Sequence, residues 1–499
     1  MNRVKCLAVS FVFFSIVGIT SCRLDFSKSD DNDREESRKP NIIYILADDA
    51  GYGDLSCYGQ NRFNTPNLDK LAENGIRFTQ HYAGSTVCAP SRSSLLTGQH
   101  TGHTPIRGNL EVEPEGQHPL SASSLTIAEI MKQAGYVTGA FGKWGLGYPG
   151  SEGDPNKQGF DEFFGYNCQR MAHRYYPSYL WHNQERVQMP GNDWKNTVTY
   201  AQDVIQDVTL KFIEDQKDTA FFAFVPIVIP HAELIVPYDS IYAKFEHRFK
   251  EIPYVGTQGA DYGEDLNISN YCSQPKPRAV FASMMYRMDV YVGQIVNRLK
   301  ELGIDKNTVV MFASDNGPHR EGGADPDFFN SNGGLKGYKR DLYEGGIRSP
   351  FIVSWPGTIE PGTISDHISA FWDVLPTCAD LVGVQTPEEI DGISFLPELL
   401  GQEQARHKYL YWEFQEKGGS MAVRLGNWKG VAYHSSQQDK TKFELFDLSN
   451  DEKERINMAD QRPDIVKEMI QIMNTERTET EEYCSNLPKL IEHTEKSKE

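Results

Sequence analysis

Two acidic pairs in this 499-residue chain stand where chemistry could be done, because each closes a short, continuously apolar run. Asn41 to Ala47 ends in Asp48-Asp49, and Val309 to Ser314 ends in Asp315-Asn316. Together they offer three carboxylates and an amide, hard oxygen donors that suit Ca2+ or Mg2+ better than Zn2+, whose sites are richer in His and Cys. Two further runs end in groups that stabilise anions or move protons: Tyr136 to Gly142 delivers Lys143, and Phe221 to Pro230 delivers His231. Asp and Asn also serve as turn residues, and a lone Lys or His is commonly just solvated. What makes the four a set is that ligands of open α/β sheets collect at the carboxyl ends of strands. The sharpest local feature is Cys88-Ala89-Pro90-Ser91-Arg92-Ser93-Ser94-Leu95-Leu96-Thr97-Gly98. Pro90 suits a first helical position and Gly98 a helix end, which predicts Cys88 just before a helix N-terminus, where anions are attracted and a thiol pKa falls. Alone, the segment also reads as a buried structural Cys beside a capped helix.

The elements that must position these groups follow from apolar periodicity. The runs Asn41 to Ala47, Tyr136 to Phe141, Phe221 to Ile229, Val309 to Ala313 and Phe351 to Trp355 are continuous rather than alternating, as in strands buried on both faces of a mostly parallel sheet. Between them lie helical patterns at Asn67 to Asn74, Leu125 to Ala134 after Ser124, Tyr200 to Gln216 and Ala279 to Leu302. The βαβα order predicts an α/β fold with a mostly parallel, mixed central sheet and helices on both faces. Around 385–405 the pattern changes. Tyr409 to Phe414, Met421 to Leu425, Trp428 to Tyr433 and Phe443 to Asp447 read as a smaller C-terminal antiparallel sheet, with a helix at Pro463 to Met473. The expected organisation is a catalytic domain over 40–385, an α+β subdomain over 386–475 and a charged tail over 476–499.

The N-terminus reads as a targeting segment. Arg3 and Lys5 precede an apolar stretch from Leu7 to Ile19, too short to span a bilayer and suited to a signal peptide over 1–21. Ile19-Thr20-Ser21-Cys22 resembles a bacterial lipobox, which would make Cys22 the acylated N-terminus; plain secretion with cleavage nearby is the alternative. Residues 22–39 then serve as a polar tether. The expected location is outside the cytoplasm, in the periplasm or at the cell surface, with an outer-membrane lipid anchor. Fifty Lys+Arg against 69 Asp+Glu give −19, which argues against a nucleic-acid-binding surface. Removing Arg3 and Lys5 leaves 48 − 69 = −21. Eight cysteines are too few for a disulfide scaffold. Setting aside Cys6, Cys22 and Cys88 leaves an odd number, so a complete disulfide network is not expected.

At this point the residues resemble the formylglycine-dependent sulfatases of the alkaline phosphatase superfamily. Cys88 to Gly98 matches their Cys-x-Pro-Ser-Arg signature and its following Thr-Gly. Asp48-Asp49, Thr65-Pro66-Asn67-Leu68-Asp69, Gly142-Lys143-Trp144, Pro230-His231, Ser314-Asp315-Asn316-Gly317 and Lys336 before Glu344-Gly345-Gly346 follow in family order, over about residues 40–475. The resemblance implies that a sulfatase-maturating enzyme oxidises Cys88 to formylglycine, whose hydrated aldehyde is the nucleophile. It implies Ca2+ held by Asp48, Asp49, Asp315 and Asn316 together with residue 88. Arg92 and Lys143 would orient that residue, His231 would protonate the leaving oxygen, and Lys336 would contact sulfate.

One departure stands out: many members read Gly-Lys-Trp-His, and this chain has Gly145 after Trp144. The imidazole assigned to the second proton transfer is missing. For the substrate rim the candidates are Arg107, His173, Arg174 and His319, cationic and aromatic groups that could bind a sulfated sugar. The stretch Ser331 to Gly337 through Glu344 resembles bacterial enzymes acting on sulfated galactose or N-acetylgalactosamine. A formylglycine-dependent phosphonate or phosphodiester hydrolase and an inactive sulfated-glycan-binding lipoprotein are the competing expectations.

Overall fold

A computed structural model of the chain describes residues 39–193, 196–256, 271–436 and 440–479. The expected signal segment over 1–21, the expected lipid site Cys22 and tether, Cys484 and the tail from residue 480 lie outside the described residues.

The main sheet contains β1 (Asn41–Asp48), β2 (Ile76–Tyr82), β3 (Val137–Lys143), β4 (Glu162–Tyr166), β5 (Tyr179–His182), β6 (Glu185–Gln188), β7 (Phe221–Pro230), β8 (Thr308–Ser314), β9 (Arg348–Ser354), β10 (Thr363–Ser365) and the short β11 (Ser369–Ala370). Its order is β10-β2-β9-β8-β1-β7-β3-β4-β5-β6, with β11 also on β2. From β8 to β4 neighbours are parallel. The run at Phe351 departs from the parallel expectation: β9 is antiparallel to both β8 and β2. Burial on both faces makes a strand apolar whatever its direction, so the run carried no directional signal.

Helices cover both faces. On one side α1 (Pro66–Glu73), α5 (Ala201–Asp215) and α6 (Pro277–Glu301) pack their Leu68, Phe212 and Met284 with Ile43 and Ile45 of β1. On the other, α2 (Cys88–Thr97), α3 (Ile127–Gln133) and α7 (Val374–Val382) pack Leu95, Ile130 and Leu375 with Ile42, Tyr44 and Leu46. Successive β1 side chains thus enter opposite cores, the period-two geometry of a strand. Helix α3 begins at Ile127 rather than just after Ser124, because Thr126 is its N-cap and forms a capping box with Glu129: Glu129 N–H donates to Thr126 Oγ1 (3.2 Å) and Thr126 N–H to Glu129 Oε2 (2.9 Å).

The C-terminal meander is a four-stranded antiparallel sheet, β12 (Leu410–Phe414), β13 (Ser420–Leu425), β14 (Trp428–Tyr433) and β15 (Lys442–Asp447), in chain order. One face packs on α8 (Pro463–Thr475) through Met469 and Met473. The other shares a core with Tyr82, Val87 and Ile347 of the main body through Trp412 and Phe446.

Candidate active site

Four adjacent parallel strands, β8, β1, β7 and β3, deliver the predicted groups in one row at their carboxyl ends. Strand spacing of about 4.8 Å then places their termini within reach of one another. Asp315 follows β8, Asp48 ends β1, His231 follows β7 and Lys143 ends β3, and all four are buried. Helix α2 enters from the side with Cys88 in its first turn; its cap is Val87.

The contacts alternate in sign. Lys143 Nζ donates to Asp48 Oδ2 at 2.6 Å, and the Cys88 thiol faces Asp48 Oδ1 at 3.3 Å. Arg92 donates through Nε (3.2 Å) and a terminal nitrogen (2.9 Å) to Asp315 Oδ2, and its other terminal nitrogen reaches the Lys143 carbonyl. Asp49 adopts φ 69°, a left-handed conformation that Asp tolerates better than most residues. In it, Asp49 Oδ1 accepts from Asn316 Nδ2 (2.7 Å), Oδ2 accepts from Lys339 Nζ (2.8 Å), and its N–H donates to Asp315 Oδ1 (3.1 Å). Lys339 Nζ also lies 3.0 Å from His231 Nε2, whose Nδ1 is 2.5 Å from the Ala232 carbonyl.

Burial alone would raise Asp48, but Lys143, with His231, Arg92 and Lys339, holds it well below the usual carboxylate range. Asp315 goes the other way, to about 7, through burial and the Asp48 charge beside it. The Cys88 thiol is pushed up by burial and by Asp48, which corrects the expected lowering: a helix end cannot offset full burial beside a carboxylate. Burial and Lys339 depress His231, which favours neutral imidazole.

The donor set suits a hard divalent cation. Asp48, Asp49, Cys88 and His231 offer ligand atoms within 4.8 Å of one another. Among the described residues Asn316 Oδ1 is buried without a hydrogen-bond partner while its Nδ2 is engaged, and the buried Asp315 carboxyl is raised by burial and then by the Asp48 charge beside it.

Of the predicted residues, the structure gathers Cys88, Asp48, Asp49, Asp315, Asn316, Arg92, Lys143 and His231. Lys336 is elsewhere: its Nζ bonds Glu444 Oε2 at 3.1 Å and sits 3.8 Å over the Tyr343 ring. A second buried lysine joins Lys143 in the site, Lys339, which the sequence reading missed. His173 does reach the site, its ring stacked on that of His231 with centroids 4.5 Å apart and planes nearly parallel at 8°. The His319 ring lies 5.7 Å from that of His231. Arg107 instead bonds Glu413 Oε1 (3.2 Å) and the Thr478 carbonyl (2.8 Å), tying the main body to β12. Arg174 is buried near Glu233, whose carboxyl burial raises to about 8. Cys57, Cys88, Cys168, Cys272 and Cys378 are free thiols.

Two family models match the chain: Sulfatase over residues 40–384, and N-sulphoglucosamine sulphohydrolase, C-terminal, over 336–480. An arylsulfatase of Hemicentrotus pulcherrimus is 34% identical over 78% of this chain and 67% of its own length. An N-acetylgalactosamine-6-O-sulfatase of Bacteroides thetaiotaomicron is 30% identical over 92% of this chain and 97% of its own. Among solved structures, Ps i-CgsB in complex with k-i-k-neocarrahexaose superposes with TM-score 0.74 at 25% identity, over 91% of this chain and 95% of that one.

Proposed function

This chain belongs to the sulfatase family, and on that premise we propose that it is an exported hydrolase that removes sulfate from a sulfated carbohydrate, galactose and N-acetylgalactosamine sulfates being the first candidates. The observation that carries this reading is the buried row of Asp315, Asp48, His231 and Lys143 around Cys88, with three cations close by for an anion. The name of the Bacteroides thetaiotaomicron relative supports the class of sugar. Domain boundaries at 40–385 and 386–475, and an anchor at Cys22, complete the proposal.

Formylglycine made from Cys88 would supply a hydrated aldehyde as nucleophile, and Asp48, Asp49, Asp315 and Asn316 would hold Ca2+, which would supply positive charge to stabilise the nucleophile and the sulfate. The chain's own side chains do the rest. Arg92, forked on Asp315, and Lys143, on Asp48, fix the floor around residue 88 and face developing negative charge. His231 gives its Nδ1 hydrogen to the Ala232 carbonyl, which leaves Nε2 to accept from Lys339. A proton for the departing alcohol therefore comes from the Lys339 ammonium, directly or through the His231 ring. In this reading His231 works in a pair with Lys339 rather than as a lone acid. Carboxylates hold the cations in place before substrate arrives, so no large reorganisation is needed when charge develops.

The test is sulfate release from defined sulfated mono- and disaccharides beside phosphate and phosphonate esters, with mass spectrometry of the peptide carrying residue 88. Sulfate release with a formyl mass at 88 is expected, and Cys88→Ala should abolish turnover in a folded protein. Cleavage of the phosphorus esters alone, or an unconverted thiol in active protein, overturns the proposal.

A further inference from the structure

Next to β3 in the sheet lies β4, so the row of strand ends continues past Lys143 to Asn167. Asn167 follows β4 directly and is 1% exposed, and Gln169, 6% exposed, opens the short helix α4 (Gln169–Ala172). Among the described residues, Asn167 Nδ2, Asn167 Oδ1 and Gln169 Nε2 are buried without hydrogen-bond partners. Leaving such atoms unpaired costs about 1–3 kcal/mol each, so the three call for a partner.

The same place holds the departure from the family pattern. Gly145 N–H donates to the Asn167 carbonyl at 3.0 Å, and Gly145 has φ +81°. A Cβ at 145 would lie 3.0 Å from Gln169 Nε2 and 3.1 Å from its Cγ. A side chain at 145 and the Gln169 amide therefore compete for one space, and in this chain the amide has it. Helix α4 carries the arrangement back to the reacting groups: four residues on from Gln169, about 6 Å along the helix, His173 stacks on His231.

We propose that Asn167 and Gln169 form a recognition pair for hydroxyl groups of the sulfated sugar, in the space that the family imidazole would occupy. This rests on the sugar-sulfatase reading above. An amide is neither acid nor base near neutral pH, so the pair binds rather than transfers a proton. The unpaired atoms also favour hydroxyl over sulfate. Sulfate oxygens only accept and would satisfy the two amide nitrogens while stranding Asn167 Oδ1, whereas sugar hydroxyls both donate and accept. A site built to pair with hydroxyls discriminates strongly against an analogue that lacks one.

The experiment is calorimetric binding to Cys88→Ser protein in Ca2+-containing buffer, with galactose 6-sulfate, N-acetylgalactosamine 6-sulfate, the 2-, 3- and 4-deoxy analogues of the galactose sulfate, and inorganic sulfate as probes. Gln169→Met and Asn167→Leu, each added to Cys88→Ser, should weaken sugar-sulfate binding tenfold or more and leave inorganic sulfate within twofold. At least one deoxy analogue should bind the Cys88→Ser parent tenfold more weakly than the full sugar, and that gap should close in the added variants. Parallel weakening of sugar sulfate and inorganic sulfate, or no change in either, overturns the pair's role. If inorganic sulfate binds the parent and none of the sugar sulfates does, the sugar reading itself fails.

Discussion

At the scale of single residues, the structure separates two lysines that the sequence could not. Lys336 and Lys339 both precede Glu344 in one loop, and neither residue type nor spacing says which is inside. The turn at Tyr338 to Asp341, with Lys339 N–H on the Pro318 carbonyl (3.0 Å) and Arg340 N–H on Thr86 (3.1 Å), buries Lys339 against Asp49 and His231. Lys336 is left on Glu444 at the C-terminal sheet. Lys339→Ala should therefore lower kcat/KM for sulfate release about 10²–10³-fold, the range for removing one preorganised donor, while Lys336→Ala stays within threefold; steady-state kinetics on one sugar sulfate decides, and the reverse ranking would return Lys336 to the site. The acidic and basic groups that close apolar runs were readable because they sit at strand ends. Lys339 was not, because its position depends on loop geometry set by contacts distant in sequence. Asn316 offers a check on the cation: Ca2+ should raise the melting temperature of the protein and chelation should lower it, and Asn316→Leu should blunt that response.

At the scale of elements, a buried charge cluster fastens the C-terminal sheet to the main body. Lys429 of β14 donates to Glu344 Oε1 at 2.8 Å and pairs with Glu454 at 3.3 Å, and Arg348 of β9 holds Glu344 Oε2 at 2.6 Å. Lys429→Met leaves buried carboxylates short of a partner and should cost about 3–5 kcal/mol, read as a fall in the urea midpoint. The two glutamates act oppositely with pH. Burial opposes ionisation of Glu344, but Lys429, Arg348 and Arg424 hold it low, so its contribution is present above the unfolded value of about 4.3 and is lost as pH falls toward the folded one. Burial raises Glu454 to about 7, so its contribution is present below about 4.3 and is lost as pH rises to 7. Relative to Glu454→Gln, the wild type should thus lose about 2–4 kcal/mol between pH 4.5 and 7; a flat difference across that window would place the proton elsewhere. Sequence pattern found the meander and its helix but not this fastening, since Lys429 and Glu344 are distant in sequence. It also missed β2, where Arg77, Thr79 and Gln80 interrupt the apolar pattern on strand faces that are only half-buried.

At the scale of the whole molecule, the doubly covered sheet was legible because burial on both faces leaves continuous apolar runs, and the row of chemistry at its edge followed from where those runs stop. Net charge was legible as a number, −19, but not as a field. The site's Arg92, Lys143 and Lys339 are each matched by Asp315, Asp48 or Asp49, so before any cation binds, the pocket adds no net positive charge to an acidic surface. A sulfated polymer approaching this chain meets repulsion that acts over about a Debye length, from 30 Å at 0.01 M salt to 8 Å at 0.15 M. Raising ionic strength across that range should therefore increase kcat/KM for a polysulfated oligosaccharide by about threefold, while a singly sulfated monosaccharide, with less charge to repel, changes little. Stopped-time sulfate release at constant Ca2+ measures both. A fall in kcat/KM with salt would mean that attraction by a basic rim governs encounter, and that the acidic face is turned away from the path the substrate takes.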